Sequence, residues 1–426
     1  MPERASAAAA DLAADLAADL AADPAAAPAI AGPRQLAASV PIRMAASGTQ
    51  IAVPILAVDV TGDVAIGALL VALALVPSIV AAPLVGALLD GTPRPRTWMM
   101  GAADGTAAAY AVAAWLGPLP VWAVAVALVV SGLLTPFGFG GLSSFVAPPG
   151  SDARRAYALD ALSYNVGGVA GPALVAAIAP VLGARVAILL LAAIALLSLA
   201  AYALLPMRPR EAGHVGFVRS MTSGLAALAT HRGLAVVTAS GTLSELGRGI
   251  MPIAAIGIAL LSTGDASTSA IIVAAFAVGA LVGAAIEPIR RQTISPQATM
   301  AIGYALTGAA TLAAAIDAGL AWTIALAALS GLCTAAPTAA MLLLRRQESP
   351  DAVVAQVFTV GSALRTSAGA AGAALAGALA GLHPLVLLAL SGAIWVLSAA
   401  VMLAFPRRGG ETRSPARGRP VRPGRA

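Results

Sequence analysis

The sequence predicts an all-α membrane protein: twelve transmembrane helices in two pseudo-symmetric six-helix bundles. Three observations predict it. Of 426 residues 59% are hydrophobic and only 10% charged, with a mean hydropathy of +0.90, whereas about a quarter of a soluble chain is charged. Between Arg34 and Pro406 the apolar residues run in stretches of about 20, the length that crosses a hydrocarbon core as a helix. The chain also repeats itself. Val60–Leu75 (VTGDVAIGALLVALAL) answers Ser262–Ala277 (STGDASTSAIIVAAFA) at an offset of 202, and Asn165–Leu174 (NVGGVAGPAL) answers Thr366–Leu375 (TSAGAAGAAL) at 201.

Charged or Pro/Gly-rich interruptions set the helix ends. In the first half the predicted spans cover about 35–58, 64–89, 97–117, 119–147, 156–180 and 183–206. The fourth and fifth carry Pro136, Gly138 and Pro172, which can shorten or break them. The second half runs over about 233–261, 267–289, 297–316, 320–344, 355–381 and 384–406. The longest loop, 207–232, divides the chain into bundles at 34–206 and 233–406. Duplicated six-helix units are an architecture for moving a solute between two pseudo-equivalent halves.

Orientation follows the arginines. Alternate loops carry Arg94 and Arg96, Arg154 and Arg155, Arg208 to Arg232, Arg290 and Arg291, Arg345 and Arg346, and the tail from Arg407. The opposite loops hold Arg185 with Asp59, Asp63, Asp265 and Asp317. Positive charge collects on the cytoplasmic side, so both termini are expected there, in a multi-pass protein of the cell membrane. Topology also accounts for the pI near 10.4, and no nucleic acid is implied. Residues 1–33, with aspartates at 11, 15, 19 and 23, are expected to form a disordered cytoplasmic tail. Residues 407–426 form a basic tail suited to anionic lipid headgroups.

Composition also excludes. All 25 basic residues are arginine, so a Walker A phosphate loop and a Schiff-base lysine are ruled out. One cysteine, Cys333, and three scattered histidines supply neither a disulfide nor a metal cluster. With no nucleophile and base set, the chain is expected to be no enzyme, and neither cofactor nor metal is expected.

The loop Gly86–Arg96 (GALLDGTPRPR) joins helices two and three. Gly86 lets another backbone approach, and Asp90 can accept from a helix N-terminus or pair with arginine; both favour a closed cytoplasmic face. Glycine, three residues, aspartate, then a basic pair resembles the signature of the major facilitator superfamily, carried here by Gly86, Asp90, Arg94 and Arg96. Gly91 stands where that signature usually has arginine, and Pro93 where it has glycine. A weaker copy, GAAIEPIRR, covers 283–291. Gly167, Gly171 and Pro172 are similar to the glycine-proline motif of antiporters in helix five. Gly279 and Gly283 repeat the spacing in helix eight, which the resemblance implies packs on helix five; generic small-residue packing is the alternative. The resemblance covers about 34–406. It implies alternating access around a cavity lined mostly by helices one, four, seven and ten.

Charges inside a bilayer each need a partner or a role. Arg43 in helix one and Glu245 in helix seven are repeat-mates at offset 202, and an approach across the pseudo-twofold axis is one expectation. The alternative is local: Arg248 lies one turn from Glu245. Arg365 in helix eleven can meet an acid of helix two, Asp90 included, or an anionic cargo. Asp104 is expected to link to the arginine loops, and Asp160 to sit at the cytoplasmic mouth of helix five. The basic residue that proton antiporters of the resembled family carry in helix four is absent. Ser131, Thr135, Phe137, Phe139 and Phe145 there, with Thr49, Gln50, Thr334 and Met341, suit an amphiphilic cargo. The proton-coupling and cavity set is therefore Arg43, Gln50, Glu245, Arg248 and Arg365.

The resulting expectation is a monomeric secondary transporter that exports small amphiphilic molecules by proton-coupled antiport, among membrane lipids. Uptake by symport or facilitated diffusion, and a non-transporting scaffold or lipid-handling protein, are the alternatives.

Overall fold

The computed structural model describes residues 32–147, 152–204, 207, 226–265, 268–291, 293–379 and 381–406. Residues 1–31 of the expected N-terminal tail, 208–225 of the inter-bundle loop and the basic C-terminal tail lie outside the described residues. In chain order the long helices are α1 (Gly32–Thr61), α2 (Val64–Gly91), α3 (Pro95–Ala113) and α4 (Val121–Gly141), then α5 (Ala153–Leu182) and α6 (Ala184–Leu204). The second set is α7 (Arg232–Thr263), α8 (Ser269–Ile286), α9 (Pro296–Ala314), α10 (Leu320–Glu348), α11 (Val354–Ala378) and α12 (Pro384–Val401). Among the described residues this gives the twelve helices expected. Nine of them meet a strict length and apolarity standard for crossing a membrane; the exceptions are α3, α9 and α11.

An α-helix is the solution in lipid because it satisfies its backbone groups internally. Start signals are local. Pro95, Pro296 and Pro384 open α3, α9 and α12, where a missing N–H costs nothing. The side chains of Asp152 and Ser295 cap α5 and α9 by accepting from the N–H groups of Arg155 and Ala298. The repeat shows in the stops as well: Gly62 and its mate Gly264 have φ of 69° and 73° at the ends of α1 and α7, a left-handed turn that favours glycine. Pro136 gives way to a π-helical turn at Phe137–Gly141, while α5 runs unbroken through Pro172. α10 is two rods meeting at Thr334.

Packing follows the duplication. α1 lies against α5 and α6 as α7 lies against α11 and α12; α2 pairs with α4 as α8 pairs with α10; α3 touches α4 and α6 as α9 touches α10 and α12. The two bundles meet through α2 on α11 and through α5 on α8 and α10. These junctions lie at the arginine-bearing end. There a core shared by both bundles joins Val146 and Tyr157 to Met300, Leu344, Val354 and Phe358, with Tyr157 stacked on Phe358 at 5.6 Å.

The glycines expected to join α5 to α8 do something else. A Cβ on Gly167 would strike Arg43 and Met44, and one on Gly171 would strike the Met44 carbonyl and Ser47, all on α1. Gly279 and Gly283 face Ala328 and Leu332 of α10. The small-residue stripes therefore close each bundle internally. α5 meets α8 through other residues.

Candidate functional site

Two charge clusters occupy repeat-related places. In the first bundle Arg43, 1% exposed, pairs at 2.9 Å with the fully enclosed carboxylate of Asp160. Its Nη1 also donates to the Asp160 carbonyl at 3.0 Å and to the Ser163 hydroxyl, and its Nη2 to Ser143 Oγ at 3.1 Å. The guanidinium lies 3.6 Å from the centroid of the Tyr164 ring and 5.9 Å from that of Phe139, close enough for cation–π attraction. In the second bundle Glu245 is buried between Arg248, one turn on, and Arg365 of α11.

The correspondence is residue by residue. Adding the offset of 202 to positions 43, 143 and 163 gives 245, 345 and 365. Arg43 meets Ser163, and Glu245 meets Arg365, at the same sequence separation of 120. The polarity is reversed: a cation on α1 is answered by an acid and hydroxyls, and an acid on α7 by arginines.

This arrangement corrects several expectations. Arg43 and Glu245 do not pair across the axis; each is neutralised within its own bundle. Asp160 is no solvated mouth residue but the counter-charge of Arg43. Arg365 does not meet Asp90. Asp104 is exposed on α3, with no ion pair to a loop arginine among the described residues. The local pairing of Glu245 with Arg248 is present, and Arg365 is added to it.

The loop after α2 is built as its sequence suggests. Asp90, 4% exposed, accepts from the backbone N–H groups of Ala355 and Gln356 at 2.9 and 3.0 Å. It therefore sits on the N-terminus of α11, where a negative charge is stabilised. Gly86 lies so close to α11 that a Cβ would come within 2.5 Å of Gln356 Cα. Arg94 and Arg96 are exposed beside it. A second latch uses the copied motif: Arg154 of α5 reaches Glu287 at 3.8 Å and donates to the Arg290 carbonyl. Both latches join the bundles at the arginine-bearing end, so that end is closed.

A cavity partly open to solvent lies between α1, α2, α4 and α11. Phe139, Val53 and Leu70 supply apolar wall, while Gln50, Thr135 and Thr366 bring polar groups. Of the expected cargo-facing residues, Thr49, Gln50, Ser131, Thr135 and Phe139 line it. Phe137 turns towards α2 and α3, Phe145 packs on a core, and Met341 is buried beneath Tyr304.

Sequence reasoning missed Ser143, Ser163 and Arg345 as members of the charged centre. The signal was available: extending the 202-residue offset from Arg43 to its neighbours leads to all three. Arg345 was read only as a loop arginine, since it stands beside Arg346.

The family model described as Major Facilitator Superfamily matches residues 36–245. No curated protein sequence matches the chain. Among solved structures the chain is similar to a bacterial homologue of the iron transporter ferroportin in an outward-facing state, with a TM-score of 0.70 and 16% identity over 88% of this chain and 98% of that one. It is similar to the proton:xylose symporter XylE, with a TM-score of 0.65 and 13% identity over 88% of this chain and 96% of that one. It is also similar to the human organic anion transporter MFSD10, with a TM-score of 0.66 and 17% identity over 87% of this chain and 99% of that one.

Proposed function

We propose that the chain, whose residues 36–245 match the Major Facilitator Superfamily model, is a secondary transporter that exports small amphiphilic molecules by alternating access coupled to proton antiport. The carrying observation is Glu245, a carboxylate held between two arginines in a membrane helix. Such a group can exchange a proton for an arginine contact as the bundles rock. The mixed apolar and hydroxyl wall of the neighbouring cavity supports an amphiphilic cargo. On this reading the arginine-bearing end is cytoplasmic, the protein sits in the cell membrane, and the state described is outward-open. The Asp90 and Arg154 latches hold it so, and cargo is released as they form.

One observation favours a second reading, uptake of a polar organic solute. Hydroxyls are numerous on the cavity wall, among them Thr49, Ser78, Ser131 and Thr359, and polar solutes need many such contacts. Flux in proteoliposomes separates the two. Export predicts that an imposed proton gradient drives dye out against protons moving in, abolished by a protonophore. Uptake predicts co-directional movement. Retention of pH-dependent transport by Glu245→Gln would remove Glu245 as the proton carrier.

A further inference from the structure

The charges at the centre do not balance. Arg43, Arg248, Arg345 and Arg365 stand against Asp160 and Glu245, leaving two guanidiniums in surplus. Arg43 and Asp160 cancel each other. Glu245 answers both Arg248 and Arg365 with a single charge. Arg345 is in no ion pair among the described residues. It is 1% exposed, its Nη2 donates only to the Gly361 carbonyl at 3.4 Å, and its Nε–H has no partner. Arg365, Tyr304, Tyr164 and Glu245 lie within electrostatic reach of it, the like-charged Arg365 acting most strongly. The Nε–H groups of Arg43 and Arg365 also lack partners.

An unpaired guanidinium buried in a membrane bundle is costly, and such residues mark pathways for substrate or ion. Packing does not require it here. Its repeat-mate Ser143 fills the same place in the first bundle with a small hydroxyl that accepts from Arg43. The surplus also reaches open space: Arg248 is 54% and Arg365 17% exposed, and Ser362 and Thr366, beside Arg365 on α11, line the cavity.

We propose that the cargo carries an anionic group, a carboxylate or sulfonate, and that Arg345 together with Arg365 selects it. This rests on the transporter reading and names the substrate class of that same site. Arg345 lies on the second rod of α10, which packs against α5 of the opposite bundle. When the arginine-bearing end opens and α5 leaves α10, Arg345 therefore comes to line the inward-facing cavity. The planar guanidinium then meets the anion with two parallel hydrogen bonds, a geometry lysine lacks. The remaining apolar wall takes the body of the molecule.

The test is charge-matched binding to the purified full chain in detergent, read as a shift in thermal unfolding midpoint. The probes are indole-3-acetate, indole-3-acetamide and tryptamine, then naphthalene-sulfonate and naphthylmethylamine, with chloride and phosphate alone as inorganic arms. The expected result is a saturable upward shift from the two organic anions and none from the amide or amines. Arg345→Gln should weaken anion binding at least about ten-fold, and Arg345→Lys should recover only part. Arg346→Gln, at an arginine paired with Asp351, should bind as the parent does. If the Gln variant does not fold, the Lys variant carries the same comparison. Equal shifts from amines and carboxylates, equal shifts from chloride alone, parental binding by Arg345→Gln, or no shift from any probe would overturn the assignment. Vesicle flux is scored separately. Saturable flux without anion preference removes only the selectivity; no saturable flux of any probe removes the transport reading itself.

Discussion

Removing the carboxylate of Asp160 is expected to destabilise the first bundle by about 3 kcal/mol, at the lower edge of the cost of breaking a buried ion pair. The magnitude follows from what remains. In Asp160→Ala the Arg43 guanidinium keeps the backbone carbonyl at position 160, the hydroxyls of Ser143 and Ser163, and the ring of Tyr164. These contacts offset part of the lost charge. The reverse deletion is worse. In Arg43→Met the carboxylate is left fully buried, and neither of its oxygens has any other hydrogen-bond partner. That variant is expected to lose about 4–5 kcal/mol unless the acid takes up a proton. The double variant should recover much of the loss, giving a coupling energy of about 2 kcal/mol or more. Chemical unfolding of the four proteins in one detergent measures the cycle. Additive losses, or an Asp160→Ala variant within about 0.5 kcal/mol of the parent, would refute the pairing as a structural charge couple.

Other outcomes follow from the latches and glycine contacts. Asp90→Asn removes the charge on the N-terminus of α11 and should shift the equilibrium towards an open arginine-bearing end by about 1–2 kcal/mol. Read in a Cys333→Ser background, maleimide labelling of a cysteine at Ala355, buried in the closed state, should accelerate about ten-fold; an unchanged rate counts against the latch. Gly86→Val, whose side chain would enter the backbone of α11, should act in the same direction. Gly171→Val should cost about 1–3 kcal/mol by forcing α1 from α5. Gly168→Val, where a Cβ meets nothing, should stay within about 0.5 kcal/mol of the parent in the same unfolding assay.

The helices were legible because lipid makes their length and apolarity obligatory, and the duplication was legible because it preserved spacing. Asp90 was legible for a related reason: a glycine and an acid at a helix end restrict what can approach. Partner choice inside the membrane was not. Sequence separation links Glu245 to Arg248, one turn away, but gives no distance from Asp160 to Arg43, 117 residues earlier. Asp160 looked like a helix-end residue, being seven positions into α5; only the placement of α1 against α5 encloses it. The glycine stripes were misassigned for a similar reason. Spacing of four identifies a face suited to close approach, and only the tertiary arrangement decides which helix takes it. Arg345 was hidden by Arg346, since an arginine pair at a helix end reads as topology.

Rocking of the two bundles about the central charges is tested most directly by electron–electron distance measurements in a Cys333→Ser background. One spin-label pair is placed at Thr97 and Gln347 on the arginine-bearing end, and another at Asp59 and Leu261 on the opposite end; all four positions are exposed. Each pair should show two populations. Asp90→Asn should lengthen the first distance and shorten the second together, and an added transported solute should redistribute both. A single fixed distance at each end, unmoved by the variant and by every solute that shows flux, would contradict alternating access in this protein.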